Sequence, residues 1–357
     1  MSVYQAESPV IGRGARRAAL ALGLAMASVV SFPALAQSSG HPPPLMSFGS
    51  WTAFCDNTGG CGLANVSMRR EPGASDPDQT QAWVCAWLGA EGDADARLSI
   101  ILEPPGRTPA APPAIILEVG PSLLGTARTG DDDRHEITGA DVPHVARRLG
   151  AESRLDLREP DGGPVLGRVS LAGFRRALGY AELRRAVAPP VHEIVPRSFQ
   201  PVERRAPASL AALHSTWCSG APWEPASARS YRLFDGSYLW TAGCRRSAYN
   251  PLTLVAIEAG DGSTRELQLP SVVDDDMVGP GFTNLALDPA RGRLEDLFKT
   301  RGANDCGTRR AWVWDGVRFS LVSEHTMPNC FGAGHGQWLR VSVTPVRGEP
   351  PSSRRPC

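Results

Sequence analysis

Ala311-Trp312-Val313-Trp314-Asp315-Gly316-Val317-Arg318-Phe319-Ser320-Leu321 decides the fold class. Two runs rich in β-favouring residues flank an Asp-Gly pair, which suits the positive φ angles of a type I′ hairpin turn. The same grammar returns in Tyr231-Arg232-Leu233-Phe234-Asp235-Gly236-Ser237-Tyr238-Leu239-Trp240 and in Leu254-Val255-Ala256-Ile257-Glu258-Ala259-Gly260-Asp261-Gly262. Three such hairpins predict a meandering antiparallel sheet. Their spacing is not fixed, so this is not a repeat array. With 37 Gly and 32 Pro in 357 residues, short strands and many turns are favoured over long helices.

Outward from these hairpins, the chain divides into two predicted units. The C-terminal one, 207–346, opens with a short helix in which Pro207 suits the first turn and Leu210, Leu213 and Trp217 share a face. A Pro- and Arg-rich stretch, 189–206, reads as a linker, and 347–357 as a disordered tail. The N-terminal unit, 48–188, contains strand-like runs at Trp51–Cys55, Ala82–Leu88, Arg97–Glu103, Ala114–Val119, Arg154–Arg158 and Pro164–Leu171. Its helix from Phe174 to Val187 places Phe174, Ala177, Leu178, Ala181 and Val187 roughly on one face, with most of its arginines elsewhere. The expected fold is mainly β, a β-rich α+β protein of two antiparallel-sheet units with one or two short helices, stapled by disulfides.

Residues 1–36 read as an address. Arg13, Arg16 and Arg17 precede an apolar run from Ala18 to Val30, and Ala34-Leu35-Ala36 supplies small residues for cleavage, giving a mature start at Gln37. The run is too short to span a bilayer stably. Arg16-Arg17 leaves Sec and twin-arginine export both open. A flexible leader, 37–47, follows. The expected product is periplasmic or secreted, with no transmembrane segment.

Lys+Arg and Asp+Glu each number 37, so formal charge is zero. That excludes a broadly basic nucleic-acid binder, whose affinity would come from neutralising phosphates. Lys299 is the single lysine, and it follows Phe298, so no Gly-Lys-Ser/Thr phosphate loop exists. The eight cysteines lack any Cys-x-x-Cys pair, which disfavours a zinc knuckle or a thioredoxin-like couple. An even count in an exported chain reads as disulfides, and local pairing predicts Cys55–Cys61, Cys218–Cys244 and Cys306–Cys330. Cys85 and Cys357 are left to bridge the N-terminal unit to the tail, or Cys357 stays a mobile thiol.

Several stretches resemble a known family. Phe48-Gly49-Ser50-Trp51-Thr52-Ala53-Phe54-Cys55-Asp56-Asn57, Leu239-Trp240-Thr241-Ala242-Gly243-Cys244 with Ala248-Tyr249-Asn250, and Arg301-Gly302 with Asp305-Cys306-Gly307 are similar to motifs of the bacterial exported proteins grouped as domain of unknown function 1176. Trp312-Val313-Trp314-Asp315-Gly316, Phe319, Cys330-x-Gly332 and Trp338 complete that likeness. The first unit also resembles the invasion-associated locus B family, through its Trp…Cys…Cys opening and Val169-Ser170-Leu171-Ala172-Gly173-Phe174. Arg245-Arg246-Ser247 departs from the first family's Gly-rich approach, and Phe331 stands where an Arg often follows the last cysteine. The resemblance implies fold and export; it assigns no activity.

No catalytic residue, cofactor or metal is expected. His135-Glu136 and His192-Glu193 are not completed to a zinc-protease motif, because Gly139 and Pro196 occupy the required positions. Asp131-Asp132-Asp133 and Asp274-Asp275-Asp276 read as solvated loop tips. Arg301 and Asp305 beside the Cys306–Cys330 loop have two readings. A buried pair would hold the loop rigid. Alternatively Arg301, Asp305, Trp314 and Trp338 line a groove for an anionic or glycan ligand. The function expected is a non-enzymatic binding protein of the cell envelope with an unknown envelope or host-surface partner. The alternative is a periplasmic hydrolase acting on cell-wall or glycan material.

Overall fold

The computed structural model describes residues 44–65, 81–89, 96–103, 112–129, 134–188, 191–218, 220–273, 278–279, 281–330 and 338–349. All of them belong to one compact unit, Pro42–Cys357. The expected signal peptide, the start at Gln37, the acidic runs 131–133 and 274–276, Cys357 and most of the tail lie outside the described residues.

The architecture is β-rich, built from three antiparallel sheets and three α-helices. The first sheet comprises β1 (Leu45–Phe48), β2 (Trp51–Cys55), β3 (Cys61–Asn65), β4 (Gln81–Trp87), β5 (Arg97–Glu103), β6 (Ala114–Val119), β7 (Ser122–Thr129), β8 (His135–Thr138), β9 (Arg154–Arg158) and β10 (Val165–Ser170). Its order is β1-β2-β3-β4-β5-β8-β7-β6-β9-β10. The second sheet holds β11 (Gln200–Val202), β12 (Arg229–Arg232), β13 (Tyr238–Arg245), β14 (Leu252–Glu258) and β15 (Thr264–Glu266), with β16 (Gly281–Thr283) also on β14. The third is a plain meander of β17 (Ala286–Asp288), β18 (Arg293–Lys299), β19 (Gly307–Trp314), β20 (Phe319–Met327) and β21 (Leu339–Val343).

The Asp-Gly hairpins form where expected, but with a different turn. Gly236, Gly262 and Gly316 have positive φ, whereas none of the three aspartates does. Type I′ needs positive φ at both central residues. Here each aspartate instead accepts the backbone N–H two residues on, as in Ser237 N to Asp235 Oδ1 at 3.0 Å and Val317 N to Asp315 Oδ1 at 2.8 Å. That local hydrogen bond holds the aspartate at ordinary φ and leaves the left-handed position to glycine.

Helix α2 (Phe174–Ala186) buries Phe174, Ala177, Leu178 and Ala181 as the periodicity predicts, whereas Val187, just past its end, is 52% exposed. Its entry is tightly specified. Gly173 has φ +93°, and a Cβ there would lie 1.8 Å from the Phe48 carbonyl oxygen. The Trp51 indole donates to Ser170 O at 2.8 Å and meets Phe174 edge-on, with centroids 4.6 Å apart. Helix α1 (Asp141–Leu149) was not anticipated; Val142, Val145, Ala146 and Leu149 bury one face of it against the same core. Pro143 sits in its first turn, where no intrahelical donor is lost. Helix α3 (Ala208–Trp217) is the short one expected after Pro207.

Residues of both predicted units meet in one core. Phe54, Ala64, Trp83, Cys85 and Trp87 of the first sheet pack with Cys306, Met327, Trp338, Leu339 and Val341. A second core lies between the other two sheets and contains Leu239, Val255, Ile257, Leu294, Trp312, Trp314 and Phe319. The stretch read as a linker is stitched into this assembly. Phe199 is 2% exposed within that second core, β11 pairs with β12, and Arg197 N donates to Trp314 O at 2.7 Å. Burying Phe199 contributes roughly 2 kcal/mol, which opposes any free excursion of 197–202. Likewise Leu45–Ser47, at the end of the expected leader, pair with Thr52–Phe54.

Candidate functional site

The three local disulfides are formed: Cys55–Cys61, Cys218–Cys244 and Cys306–Cys330, with Cα separations of 4.1, 4.9 and 4.8 Å. No cysteine among the described residues is free. Cys85 is buried in the shared core, and both readings of Cys357, as its bridge partner or as a mobile thiol, lie outside the described residues because Cys357 does.

Arg301 and Asp305 do pair, but only the aspartate is buried. The turn 300–306 is closed by Thr300 N to Cys306 O at 3.0 Å and Asn304 N to Arg301 O at 3.2 Å. Asn304 takes φ +59°, a conformation its short amide side chain tolerates. At the end of the turn, Gly307 has no room for a side chain, since a Cβ would lie 1.9 Å from Phe298 O. Arg301 Nε then donates to Asp305 Oδ1 at 2.8 Å, and its NH2 group donates to Oδ2. The Asp305 side chain is 3% exposed and that of Arg301 is 53% exposed. A buried carboxylate therefore grips one edge of a half-exposed guanidinium. Such a planar cation is pre-organised at little rotamer cost.

Trp314 and Trp338 do not join it. Trp314 is 4% exposed in the core between the second and third sheets, and Trp338 is fully buried in the core shared with the first sheet. As large apolar side chains on inward-facing positions they bury most of their area. Neither offers a face to a ligand.

Among the described residues, Tyr249 of the middle motif does reach this turn, and it is 41% exposed. A Cβ placed on Gly302 would lie 3.7 Å from Tyr249 Cδ1, ordinary contact distance, so the ring lies beside this turn. Two asparagines hold it there. Asn250 Nδ2 donates to Lys299 O at 2.7 Å while its Oδ1 accepts from Lys299 N at 3.1 Å, pairing the end of β18 as a strand would. Asn284, at φ +46°, donates through Nδ2 to Tyr249 O at 2.9 Å and Leu297 O at 2.8 Å. Thus Ala248-Tyr249-Asn250 and Lys299–Asp305, about fifty positions apart, form one surface. Arg245 and Arg246 are exposed just before it, and Phe298 is 44% exposed. Residues 245–250 and 297–302 contain four cations and no acid. The arrangement suits an anionic ligand with a stacking face.

Several other charged groups named from the sequence have structural partners. His135 is buried with Nε2 donating to Pro112 O at 2.7 Å, and Glu136 pairs with Arg97 at 2.8 Å. Glu193 pairs with Arg347 at 2.9 Å. Behind the third sheet, Arg310 joins Glu324 at 2.7 Å and Asp296 at 3.5 Å, all nearly inaccessible. Burial pushes the Asp296 carboxyl up despite hydrogen bonds from Thr283 and the Arg310 charge. Among the described residues, two groups could supply three metal ligands: His214, Cys218 and Cys244, and Asp305, Cys306 and Cys330. In each, the two sulfurs are bonded to one another.

Residues 181–345 match the family model of a protein of unknown function, DUF1176. That match covers the second and third sheets and both halves of the Tyr249–Arg301 surface. The opening motif around Trp51–Asn57 lies outside it. A search of curated proteins and one of solved structures found no match.

Proposed function

We propose that this chain is an exported, non-enzymatic binding protein of the bacterial cell envelope, and that its DUF1176-matching half carries the binding surface. The observation behind this reading is the convergence of Tyr249 with Arg301, a half-exposed ring on the turn whose guanidinium is held by buried Asp305. Arg245, Arg246 and Lys299 extend its positive charge. The ligand class that fits is an anionic envelope glycan or polymer, bound by stacking and by bidentate contacts to carboxylate or phosphate.

Export rests on the Arg-led apolar run before Ala34-Leu35-Ala36, and it accords with the disulfides, which persist in oxidising compartments. A host-surface partner rests on the locus-B-like likeness of residues 48–174 alone.

The test is retention of the oxidised, purified protein on anionic and neutral envelope polysaccharides. Selective retention on the anionic material, weakened by Tyr249→Ala and by Arg301→Gln at unchanged melting temperature, is expected. Equal retention of wild type and both variants would sink the assignment of this surface.

A further inference from the structure

His214 is a buried imidazole with one nitrogen unaccounted for. It is 1% exposed on α3, and its Nε2 lies 2.9 Å from Gly243 O. A carbonyl only accepts, so Nε2 carries the proton and Nδ1 presents a lone pair. Nδ1 is buried and, among the described residues, has no hydrogen-bond partner. Leaving such an atom unsatisfied is costly, and the exceptions call for an explanation. The explanation lies one turn along the helix. Cys218, four residues on, shares the face of His214, and Cys244 of β13 reaches the same point. A ring nitrogen and the two sulfurs all lie within 4.8 Å of one another.

We propose that His214, Cys218 and Cys244 form a redox-gated site for a borderline-soft divalent cation such as Zn²⁺, closed while the disulfide stands and opened by its reduction. A dithiol reductant supplies two electrons and two protons to the Cys218–Cys244 bond and leaves as its own disulfide. The ion then displaces the two thiol protons and takes two thiolates plus His214 Nδ1, with a fourth position open to water. Two cysteines and one histidine form a known zinc donor set, and the Gly243 carbonyl orients the ring as outer partners of ligating histidines do. The Trp223 ring, 5.0 Å from the imidazole, walls one side. Reoxidation by a disulfide oxidant, which takes the two electrons and is itself reduced to its dithiol, expels the ion, because the re-formed Cys218–Cys244 bond supplies no thiolates. This inference is independent of the Tyr249–Arg301 surface.

The experiment reduces the full-length mature protein with dithiothreitol, removes the reductant anaerobically and titrates Co²⁺. One equivalent should bind with a sulfur-to-cobalt charge-transfer band and tetrahedral visible bands, and Zn²⁺ should bleach them. His214→Asn should weaken binding roughly tenfold or more. Cys244→Ser should remove most of the charge transfer, whereas Cys306→Ser should leave it. As a readout on the unaltered chain, Zn²⁺ should protect Cys218 and Cys244 from alkylation more than Cys306 and Cys330. The proposal is overturned if the reduced wild type shows no charge-transfer band, folded or not. It is equally overturned if binding is undiminished in His214→Asn, or if Zn²⁺ protects the four cysteines alike.

Discussion

Arg340 Nε donates to Asp56 Oδ2 at 2.8 Å, a contact between residues 284 positions apart. The Asp56 side chain is fully buried and that of Arg340 is 13% exposed. The other carboxylate oxygen accepts from Thr58 N, Thr58 Oγ1 and Gly60 N, so Asp56 both folds its own turn and holds β21. Asn57 adds a second tie, accepting from Val343 N at 2.7 Å. The guanidinium lies over Trp87, 4.9 Å from the ring centroid. Arg340→Met should therefore destabilise by about 3 kcal/mol, chiefly by leaving a buried carboxylate uncompensated. Denaturant unfolding measures it; a change within about 0.5 kcal/mol would make the pair an incidental one.

Gly173→Ala should be more damaging than its single methyl suggests. The position has φ +93°, and the new Cβ would strike the Phe48 carbonyl at 1.8 Å. A loss of roughly 2 kcal/mol or more is expected, since neither strain nor clash can relax without moving β1. Gly179→Ala is the control. That site has open space for a Cβ, and a small gain in α2 stability is expected.

Glu295 makes a pH-dependent contribution. Burial raises its pKa, but Arg309 at 2.9 Å and Arg293 at 2.8 Å more than offset this, and the net shift is downward. A carboxylate with a depressed folded pKa stabilises above its unfolded value, about 4.3, and the gain is lost as pH falls through the folded value. Wild type and Glu295→Gln should thus differ most in melting temperature at roughly pH 6–7, converging below about pH 4. A gap that widens on acidification would reverse the assigned sign.

Removing the Cys306–Cys330 bridge by serine substitution should cost about 3 kcal/mol and loosen the turn that carries Arg301. Amide hydrogen exchange across 300–306 reports that loosening. Unchanged protection there would mean that the Arg301–Asp305 pair and the Thr300–Cys306 hydrogen bond hold the turn unaided.

The hairpins, the two predicted helices and the three local disulfides were legible because each depends on short-range pattern. Asp-Gly pairs, a helical stripe such as Phe174, Ala177, Leu178 and Ala181, and cysteines separated by a turn or hairpin all act within one or two elements. Helix α1 was missed because its buried stripe spans only Val142 to Leu149 and includes a proline that reads as a breaker. Of the four residues offered as a ligand site, Arg301 and Asp305 do meet, whereas Trp314 and Trp338 are core. Exposure of a tryptophan depends on which sheet covers it, which no local pattern records. Tyr249 was visible as part of a motif, but nothing in the sequence placed it beside Gly302.

By itself, the sequence determined a β-rich, disulfide-stapled chain and the places of its Asp-Gly hairpins, two of its helices and several of its strands. Those features follow from backbone preferences and alternating burial, which operate over a few residues. Tertiary structure alone decided that Asp56 meets Arg340, that Phe199 pins the supposed linker, and that Tyr249 flanks the Arg301 turn. Each is a contact between distant segments, selected by how the three sheets bury their apolar faces and satisfy the polar groups trapped between them.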